Sequence, residues 1–314
     1  MKHLSIVVVS LCLLLALPIS ADNNAANCLV VWGQGGIANY VGKTDGAKPA
    51  IGGGGGIGVG YEYRGRAFLL QTGLGGQITS TGLKLNNADY DVLGLYDSEN
   101  WQIARYQYQE RNRLDACTQV ALQVPLLVGA HFDYFYFLAG AKLNVYAYNQ
   151  TKVKATYRTL GYYDEFIDPF EDMNNHKYFT SGDVTTTVKN SLSINVAASV
   201  ELGAEFVLKE TRGAGNQYMR VAAFADFNLL NDAKKSLKAP IAYPTTLAGI
   251  NTLQDIQQVD YMHSSMATNP LRQLVAGVKV TFLISSGVKY NCVMCQGGYP
   301  SDRDRRRGSR LLLN

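Results

Sequence analysis

The sequence predicts an all-β fold: an antiparallel barrel of about eight strands in up-and-down order. Three observations predict it. Apolar and polar residues alternate along eight separate stretches of the chain. Short and long links alternate between those stretches. The composition also favours strands and tight turns, with 20 tyrosines, 31 glycines and only 8 prolines among the 314 residues.

Residues 1–21 have the pattern of a cleaved signal peptide. Lys2 and His3 form a short basic start, residues 4–19 form an apolar run, and Ser20 and Ala21 offer a small-residue cleavage point. The run is shorter than the ~20 residues that a membrane-spanning helix needs, so a retained anchor is the weaker alternative. We therefore expect export, with residues 22–284 forming one barrel domain and residues 285–314 a disordered periplasmic tail.

The alternation is clearest in residues 191–206. Ile194, Val196 and Val200 share one face of this stretch, and Asn195 and Ser199 lie on the other face. Each stretch is about as long as a tilted strand must be to cross the hydrocarbon core of a membrane. An even number of strands permits closure, which removes the unpaired edges that lipid cannot satisfy. In chain order, the predicted strands are residues 28–41, 54–63, 68–78, 120–128, 137–145, 191–206, 219–227 and 274–282.

The links between these strands form a second pattern that is independent of the first. An up-and-down barrel has short turns at one rim and long loops at the other. We expect the long loops to lie outside the cell and both termini on the periplasmic side. The predicted short links are residues 63–66, 131–134 and 208–217, and the long ones are residues 42–53, 83–116, 150–190 and 231–270.

The polar face of each strand indicates which side of the barrel wall meets lipid. A wall exposed to water would be dense in lysine and glutamate, whereas these faces carry glycine, alanine, serine, asparagine and glutamine with single charges. We therefore expect the polar faces to fill a narrow interior and the apolar faces to meet lipid. The interior charges are of mixed sign and are expected to pair, because an unpaired charge away from water is costly. They are Glu62, Lys142, Glu201, Glu205, Arg220, Asp226 and Lys279.

Aromatic residues cluster near both predicted rims, as expected of the aromatic belts of a membrane barrel. The first rim has Phe132, Tyr134, Phe135, Tyr136 and Phe137 at one turn and Tyr61 and Tyr63 at another, and the opposite rim has Tyr146 and Tyr148.

This layout resembles the eight-stranded outer-membrane β-barrel superfamily, the group that includes the OmpA transmembrane domain, over residues 28–284. In the last strand Gly277, Val280 and Phe282 resemble the family's Gly-x-x-apolar-x-aromatic assembly signal, although Val275 stands where a polar residue is usual. The resemblance implies an outer-membrane location, with membrane lipid and the barrel-assembly machinery as partners. It also implies roles such as envelope integrity, adhesion or narrow conductance.

The sequence predicts no catalytic, cofactor or metal site. Cys292 and Cys295 form a Cys-x-x-Cys pair, but no second ligand pair accompanies it, so a local disulfide or two free thiols are preferred over a redox or zinc site. The glycine-rich residues 52–60 lack the lysine and the serine or threonine of a phosphate-binding loop.

An enzyme with a histidine and a serine near one rim is a further alternative. His176 or His263 could act with Ser181 or Ser264, but nothing in the sequence brings these residues together. The net charge of only +4, together with export, argues against a nucleic-acid partner. We therefore expect a structural or surface-interaction protein whose long loops leave room for an extracellular partner. The alternatives are a narrow porin-like channel and a soluble periplasmic barrel that binds an apolar ligand.

Overall fold

A computed structural model describes residues 26–65, 68–97, 99, 101–132, 134–189, 193–209, 216–232, 241–242 and 250–285. The predicted signal peptide, residues 1–21, lies outside the described residues. So does the predicted tail beyond Ser285, with Cys292 and Cys295.

Eight antiparallel strands close into a ring, and each pairs with the next one along the chain. The last of them pairs with the first, with Gly36 opposite Gly277 in the register. This confirms the all-β antiparallel fold with about eight strands, and each predicted stretch overlaps one ring strand. The ring strands are β1 (Ala26–Val41), β2 (Ala47–Arg64), β3 (Phe68–Leu85), β5 (Gln102–Phe132), β6 (Phe135–Tyr162), β8 (Ser193–Lys209), β9 (Gln217–Asn228) and β12 (Arg272–Ser285).

Two ring strands continue far beyond the ring. Strands β5 and β6 are 31 and 28 residues long and pair along most of that length. Strand β4 (Ala88–Asp97) pairs with the first part of β5, and β7 (Gly182–Lys189) pairs with the last part of β6. We call this projecting unit the head: β4, β7, residues 102–116 of β5, residues 150–162 of β6, and residues 163–181, which include η1 (Asn174–His176).

The predicted long links therefore differ in kind. Residues 83–116 and 150–190 contain head strands. Residues 42–53 were predicted as a long loop, but β2 begins at Ala47 and leaves only residues 42–46 as a link. The prediction was wrong because residues 47–53, with Gly52 and Gly53, were assigned to the loop, whereas they continue β2 beside its neighbours β1 and β3.

The described part of the fourth long link folds back over the mouth of the ring. We call residues 250–271 the cap segment; it contains η2 (Leu253–Asp255), β11 (Gln257–Gln258) and η3 (Tyr261–His263), and β11 pairs with β10 (Ile241–Ala242). Its Tyr261, Met262 and Leu271 pack in one buried cluster with inward-facing Tyr40 of β1 and Leu83 of β3. The cap segment thus closes the end of the ring that faces the head.

Two β-bulges change the phase of side-chain alternation where the ring meets the head. The first follows Arg111 in β5, where Asn112 adopts a left-handed φ of 53°. The second is in β6, where the register skips Ala147. Inward-facing residues of β5 are even-numbered from 104 to 110 and odd-numbered from 113 to 127. A bulge adds one residue to one strand, so the residues after it exchange sides.

The glycine-rich part of β2 makes room for one large side chain inside the ring. A Cβ atom added to Gly58 would lie 2.2 Å from Cζ2 of Trp32, and one added to Gly73 of β3 would lie 2.8 Å from Cη2 of the same indole. Trp32 is buried against these bare backbones. Glycine therefore serves here for close approach in the barrel wall.

Candidate functional site

The outer wall of the ring is an apolar surface. Its outward-facing positions are occupied mainly by aliphatic residues, and alternate residues of every ring strand contribute to it. The large exposed ones include Leu29, Val31, Ile37, Ile57, Val59, Leu74, Ile78, Leu122, Leu126, Val128, Ile194, Val200, Leu202, Val221, Val278 and Ile284.

The same two strands present polar residues to the outside once they enter the head. On β5 the outward positions change from Leu122 and Leu126 in the ring to Arg105, Gln107 and Arg111 in the head. On β6 they change from apolar residues such as Phe137 and Leu143 to polar and charged residues, namely Lys152, Lys154, Thr156 and Arg158. The inward residues change as well: charges and amides face the interior of the ring, whereas the head adds a cluster of tyrosines next to the buried ion pair of Glu110 and Arg113.

Exposed aromatic side chains surround the rim at the short turns. Phe132, Tyr134, Phe135 and Phe137 are exposed there, as are Tyr61, Phe68 and Phe206. Two residues predicted for the belts, Tyr136 and Tyr146, instead point inward and are buried, whereas Tyr63 is buried in the same outward phase of β2 as Tyr61. The belt prediction was wrong for Tyr136 and Tyr146 because they occupy the inward phase of β6, where their hydroxyls contact Glu201 and Asn228.

Arg220 lies at the centre of a buried charge network near this rim. Its Nη1 and Nη2 donate to the two carboxylate oxygens of Glu62 at 2.5 and 2.8 Å, and its Nε donates to Glu205 at 2.7 Å. Arg64 pairs with the same Glu205, and its Nε lies 3.8 Å from Glu62. The Arg220 guanidinium also lies 4.3 Å from the centroid of the Tyr136 ring. Two arginines thus neutralise two carboxylates inside the wall.

Arg64 was not predicted as part of this network. It lies two residues after Glu62 in β2, so it has the same inward phase. Extending the alternation of that strand by one more step would have found it. The pairing of Glu62 with Arg220 could not be predicted from their positions in the sequence, because the two residues are 158 residues apart.

The other four predicted interior charges form two further ion pairs. Lys279 Nζ lies 2.7 Å from Glu201, and Lys142 Nζ lies 2.8 Å from Asp226. Glu201 also accepts a 2.5 Å hydrogen bond from the hydroxyl of Tyr136. All seven predicted charges therefore face the interior, and each contacts at least one opposite charge.

Amide side chains fill the next layer toward the mouth. Gln123 Nε2 donates to Asn144 at 3.0 Å and also contacts Gln77. Gln273 Nε2 donates to Thr79 at 3.3 Å and to Gln119 at 3.2 Å. Because these groups come from four ring strands, β3, β5, β6 and β12, they hold the wall together from within.

The residues of the predicted assembly signal lie at the seam where the ring closes. Gly277 faces inward against β1, and a Cβ atom there would lie 2.1 Å from the carbonyl oxygen of Gly35. Phe282 is exposed on the outer wall, and Val280 shares that face. The glycine is thus required by close approach of the first and last strands.

The cap segment is held in the mouth by hydrogen bonds as well as by packing. Asp115 of β5 accepts from the backbone N–H of Tyr261 at 2.6 Å. Arg113 pairs with Asp115 at 2.8 Å, and its Nη2 donates to the carbonyl oxygen of Val259 at 2.5 Å. On the opposite side, Asp45 accepts from Thr268 at 2.8 Å. The mouth is therefore closed by a segment with polar anchors on two sides.

The head has its own core, which is built largely of tyrosine. Tyr106, Tyr108, Tyr157, Tyr163 and Tyr178 are buried in one cluster. Because a buried phenol retains a polar oxygen, each such ring needs a polar partner at its tip. The hydroxyl of Tyr178, for example, donates to that of Tyr163 at 2.7 Å.

Asp97 is the acceptor at the end of this chain of hydroxyls. It accepts hydrogen bonds from Tyr163, from His176 Nδ1 at 2.7 Å and from the backbone N–H of Glu99 at 3.0 Å. Burial alone would raise the pKa of Asp97, but these hydrogen bonds and the nearby imidazole lower it below the usual value. The carboxylate thereby fixes the β4–β5 hairpin against residues 163–176.

The histidines and serines considered for catalysis have structural contacts in the head and cap segment. His176 is bound to Asp97, and His263 Nδ1 lies 2.8 Å from Asp260. The hydroxyl of Ser264 donates to the carbonyl oxygen of Tyr261 at 2.9 Å, within the cap segment. Ser181 lines an open cleft of about 360 Å³ on the head.

Cys28 and Cys117 are both free thiols and both buried inside the ring. Cys28 lies beside Glu62 and Ser285 in the register, near the rim with the short turns. Cys117 lies beside Thr81 and Thr151, toward the mouth.

Among the described residues, no helix is long and apolar enough to span a membrane. The described ranges also contain no group of three or more histidine, cysteine, aspartate or glutamate side chains arranged to hold a metal ion. A comparison of the chain with models of known protein families gives no match, and a comparison with curated proteins gives no significant match.

Proposed function

We propose that the protein is an outer-membrane β-barrel of a Gram-negative cell, with a structural or surface-interaction role. The ring would lie in the lipid and the head outside the cell. The observation that carries this proposal is the change of outward-facing residues along β5 and β6, from aliphatic in the ring to charged and polar in the head. The outer surface of β5 and β6 therefore suits lipid along the ring and water along the head.

Water is a poor solvent for the ring wall. Single exposed apolar residues are ordinary on soluble proteins, but a continuous apolar band around a closed ring is not. Exposed apolar area costs about 25 cal/mol per Å² in water, and lipid removes that cost. The exposed aromatic residues at the short-turn rim, such as Phe135 and Tyr134, suit the interface between lipid and water.

The interior supports a closed barrel over the alternatives. Ion pairs around Arg220 and Lys279 and a layer of glutamines occupy the ring, and the cap segment covers its mouth. An eight-stranded ring leaves only enough space for side chains. A polar interior also disfavours a soluble barrel with an apolar ligand, which would need the opposite arrangement of faces.

Heat-modifiability tests the proposal directly. After envelope fractionation, boiled and unboiled samples are compared on a detergent gel. We expect the protein in the outer-membrane fraction, with the unboiled form migrating faster because the closed barrel stays folded. Recovery in the soluble periplasm without a mobility shift would overturn the proposal.

Conductance in planar bilayers separates a closed barrel from a narrow channel. We expect no stepwise current from the folded protein, because paired charges and the cap segment fill the ring. Reproducible single-channel steps would replace the structural role with a transport role.

A further inference from the structure

Two segments meet at the outer end of the head and form one surface. Asp97 at the end of β4 accepts hydrogen bonds from Tyr163 and His176, so the β4–β5 hairpin is joined to residues 163–176. Tyr163 also packs on Phe170, with ring centroids 5.3 Å apart. We call the exposed residues of these two segments the tip surface; they are Tyr96, Glu99, Trp101, Ile103, Asp164, Glu165, Phe166, Ile167 and Asp168.

The apolar side chains of the tip surface are highly exposed to solvent. Trp101 is 80% exposed, Ile103 is 68% exposed and Ile167 is 98% exposed. Ile103 lies directly opposite Tyr96 in the register, so the two form an exposed cross-strand pair. Exposed tryptophan and isoleucine at the end of a projecting unit, far from the ring wall, match the anchors of a binding surface.

Trp101 also occupies a backbone position that disfavours it. Its φ is 59°, in the left-handed region that glycine or asparagine adopts most easily. A turn residue selected for stability would be one of those two. A bulky indole at this position, with its side chain outside the core, is consistent with a role in contact rather than in folding.

The charges around these anchors are of one sign. Residues 88–105 and 162–176 contain nine acidic residues and one basic residue, Arg105, although the whole chain has a net charge of +4. Three of the nine are paired within the head, with Arg111, Arg158 and His176. In the described part of the chain, the four acids of the tip surface are in no ion pair; they are Glu99, Asp164, Glu165 and Asp168.

We propose that the tip surface docks a basic amphipathic polypeptide segment, in which lysine or arginine residues alternate with apolar ones. Apolar side chains of the partner would cover Trp101 and Ile103, and its cations would meet the acidic rim. Anionic lipid headgroups would be repelled by the same rim, and a neutral partner would leave it unused. The inference rests on the proposed function only for the placement of the tip surface outside the cell.

Binding to the purified, folded protein in nonionic detergent tests the inference. The probe is a fluorescent amphipathic peptide of lysine and leucine, with a glutamate–leucine peptide of equal length as its control and protein-free micelles as the blank. We expect saturable binding of the lysine peptide alone, weakened by added salt because the rim charges are exposed. Trp101 emission should shift to shorter wavelength on binding, while Trp32, buried inside the ring, should not respond.

Variants separate the two parts of the surface. Trp101→Ser and the double variant E165Q/D168N should each weaken binding about tenfold, since each removes one of two required contributions. Asp255→Asn, an exposed acid of the cap segment, is the matched control and should leave binding unchanged. All these side chains are exposed, so the heat-induced gel shift should be the same in every variant.

Each contrary result has a definite meaning. Loss of peptide binding in E165Q/D168N without any loss in Trp101→Ser would mean simple polyelectrolyte attraction and would overturn the proposal. Equal binding of both peptides would mean non-specific apolar contact, and binding of phosphatidylcholine vesicles through Trp101 would mean a membrane contact; either overturns it. Peptide binding by a protein found in the soluble fraction would refute the proposed function and leave this inference standing.

Discussion

Strands β5 and β6 run through both the ring and the head, and their two halves differ in the side chains that they bury and expose. In the ring, charges and amides such as Lys142 and Gln123 point inward and leucines and valines point outward. In the head, tyrosines such as Tyr106 and Tyr157 point inward and charged or amide side chains point outward. The backbone pairing is the same, so the difference comes from the side chains alone.

Alternation by itself does not say which face of a strand is buried. A period of two residues indicates a strand with two unlike faces. The chemistry of the polar face then decides which face is buried. Paired single charges are suited to a narrow interior, whereas lysines at successive outward positions, such as Lys152 and Lys154, are suited to water.

The largest expected effect comes from breaking the interior charge network. Arg220→Met would leave Glu62 without its bidentate partner and Glu205 with Arg64 alone. Stranding buried charges should cost about 3–5 kcal/mol. The measurement is the urea midpoint of the folded band on a detergent gel. Arg111→Met in the head is the matched control, because its exposed ion pair with Asp89 should contribute about 0–1 kcal/mol. Equal losses from both would remove the distinction between ring and head.

A charge placed on the outside of one strand tests the solvent of each half. Leu122→Arg puts a cation on the outer wall of the ring and should destabilise the protein in lipid by about 2–4 kcal/mol. Gln107→Arg puts the same group on the outer face of β5 in the head and should change the stability by less than about 0.5 kcal/mol. Unfolding titrations in lipid vesicles measure both. No loss of stability in the Leu122→Arg variant would mean that the wall faces water.

The Asp97 carboxylate of the head should contribute less to the stability of the protein than the Arg220 charge network of the ring. Asp97→Asn removes the charge that accepts hydrogen bonds from Tyr163 and His176, and hydrogen bonds to a charged group contribute about 1.5–3 kcal/mol. We expect faster amide hydrogen exchange in residues 157–178 and an unchanged exchange rate in the ring strands. Faster exchange in ring strands such as β12 as well would mean that the two halves unfold as one unit.

Acid should reproduce the same local change in the unmodified protein. Because hydrogen bonds hold the folded pKa of Asp97 below its ordinary value, its contribution is complete above about pH 4 and is lost as the pH falls through the lowered pKa. Hydrogen exchange in the head should therefore approach that of Asp97→Asn in acid. A head whose protection does not change with pH would show that the carboxylate adds nothing.

The sequence contained enough to predict the ring and too little to predict the head. Eight strands and seven inward charges followed from alternation, because a barrel wall repeats one simple pattern. Which charges pair did not follow: Arg220 and Glu62 meet only because β9 and β2 face each other across the ring interior. Tyr136 was placed in a belt because composition cannot distinguish an aromatic that faces lipid from one that donates to Glu201.

The bulges and the cap segment were beyond reach for separate reasons. A single extra residue such as Asn112 reverses the phase of a strand, and nothing about an asparagine in a polar stretch marks the reversal in advance. The cap segment lacks both alternation and helical periodicity. Its place in the mouth depends on backbone groups of Val259 and Tyr261, which carry no sequence signal.

The position of the cap segment in the chain constrains the order in which this molecule can be assembled. It ends at Leu271, and β12, the strand that seals the ring against β1, begins at the next residue. The stopper and the seam are thus delivered by one continuous piece of chain. A ring that closed first would have to admit the stopper through a mouth already fixed in width. The simplest sequence of events seats the stopper while the wall is still open, and the final strand then locks it in.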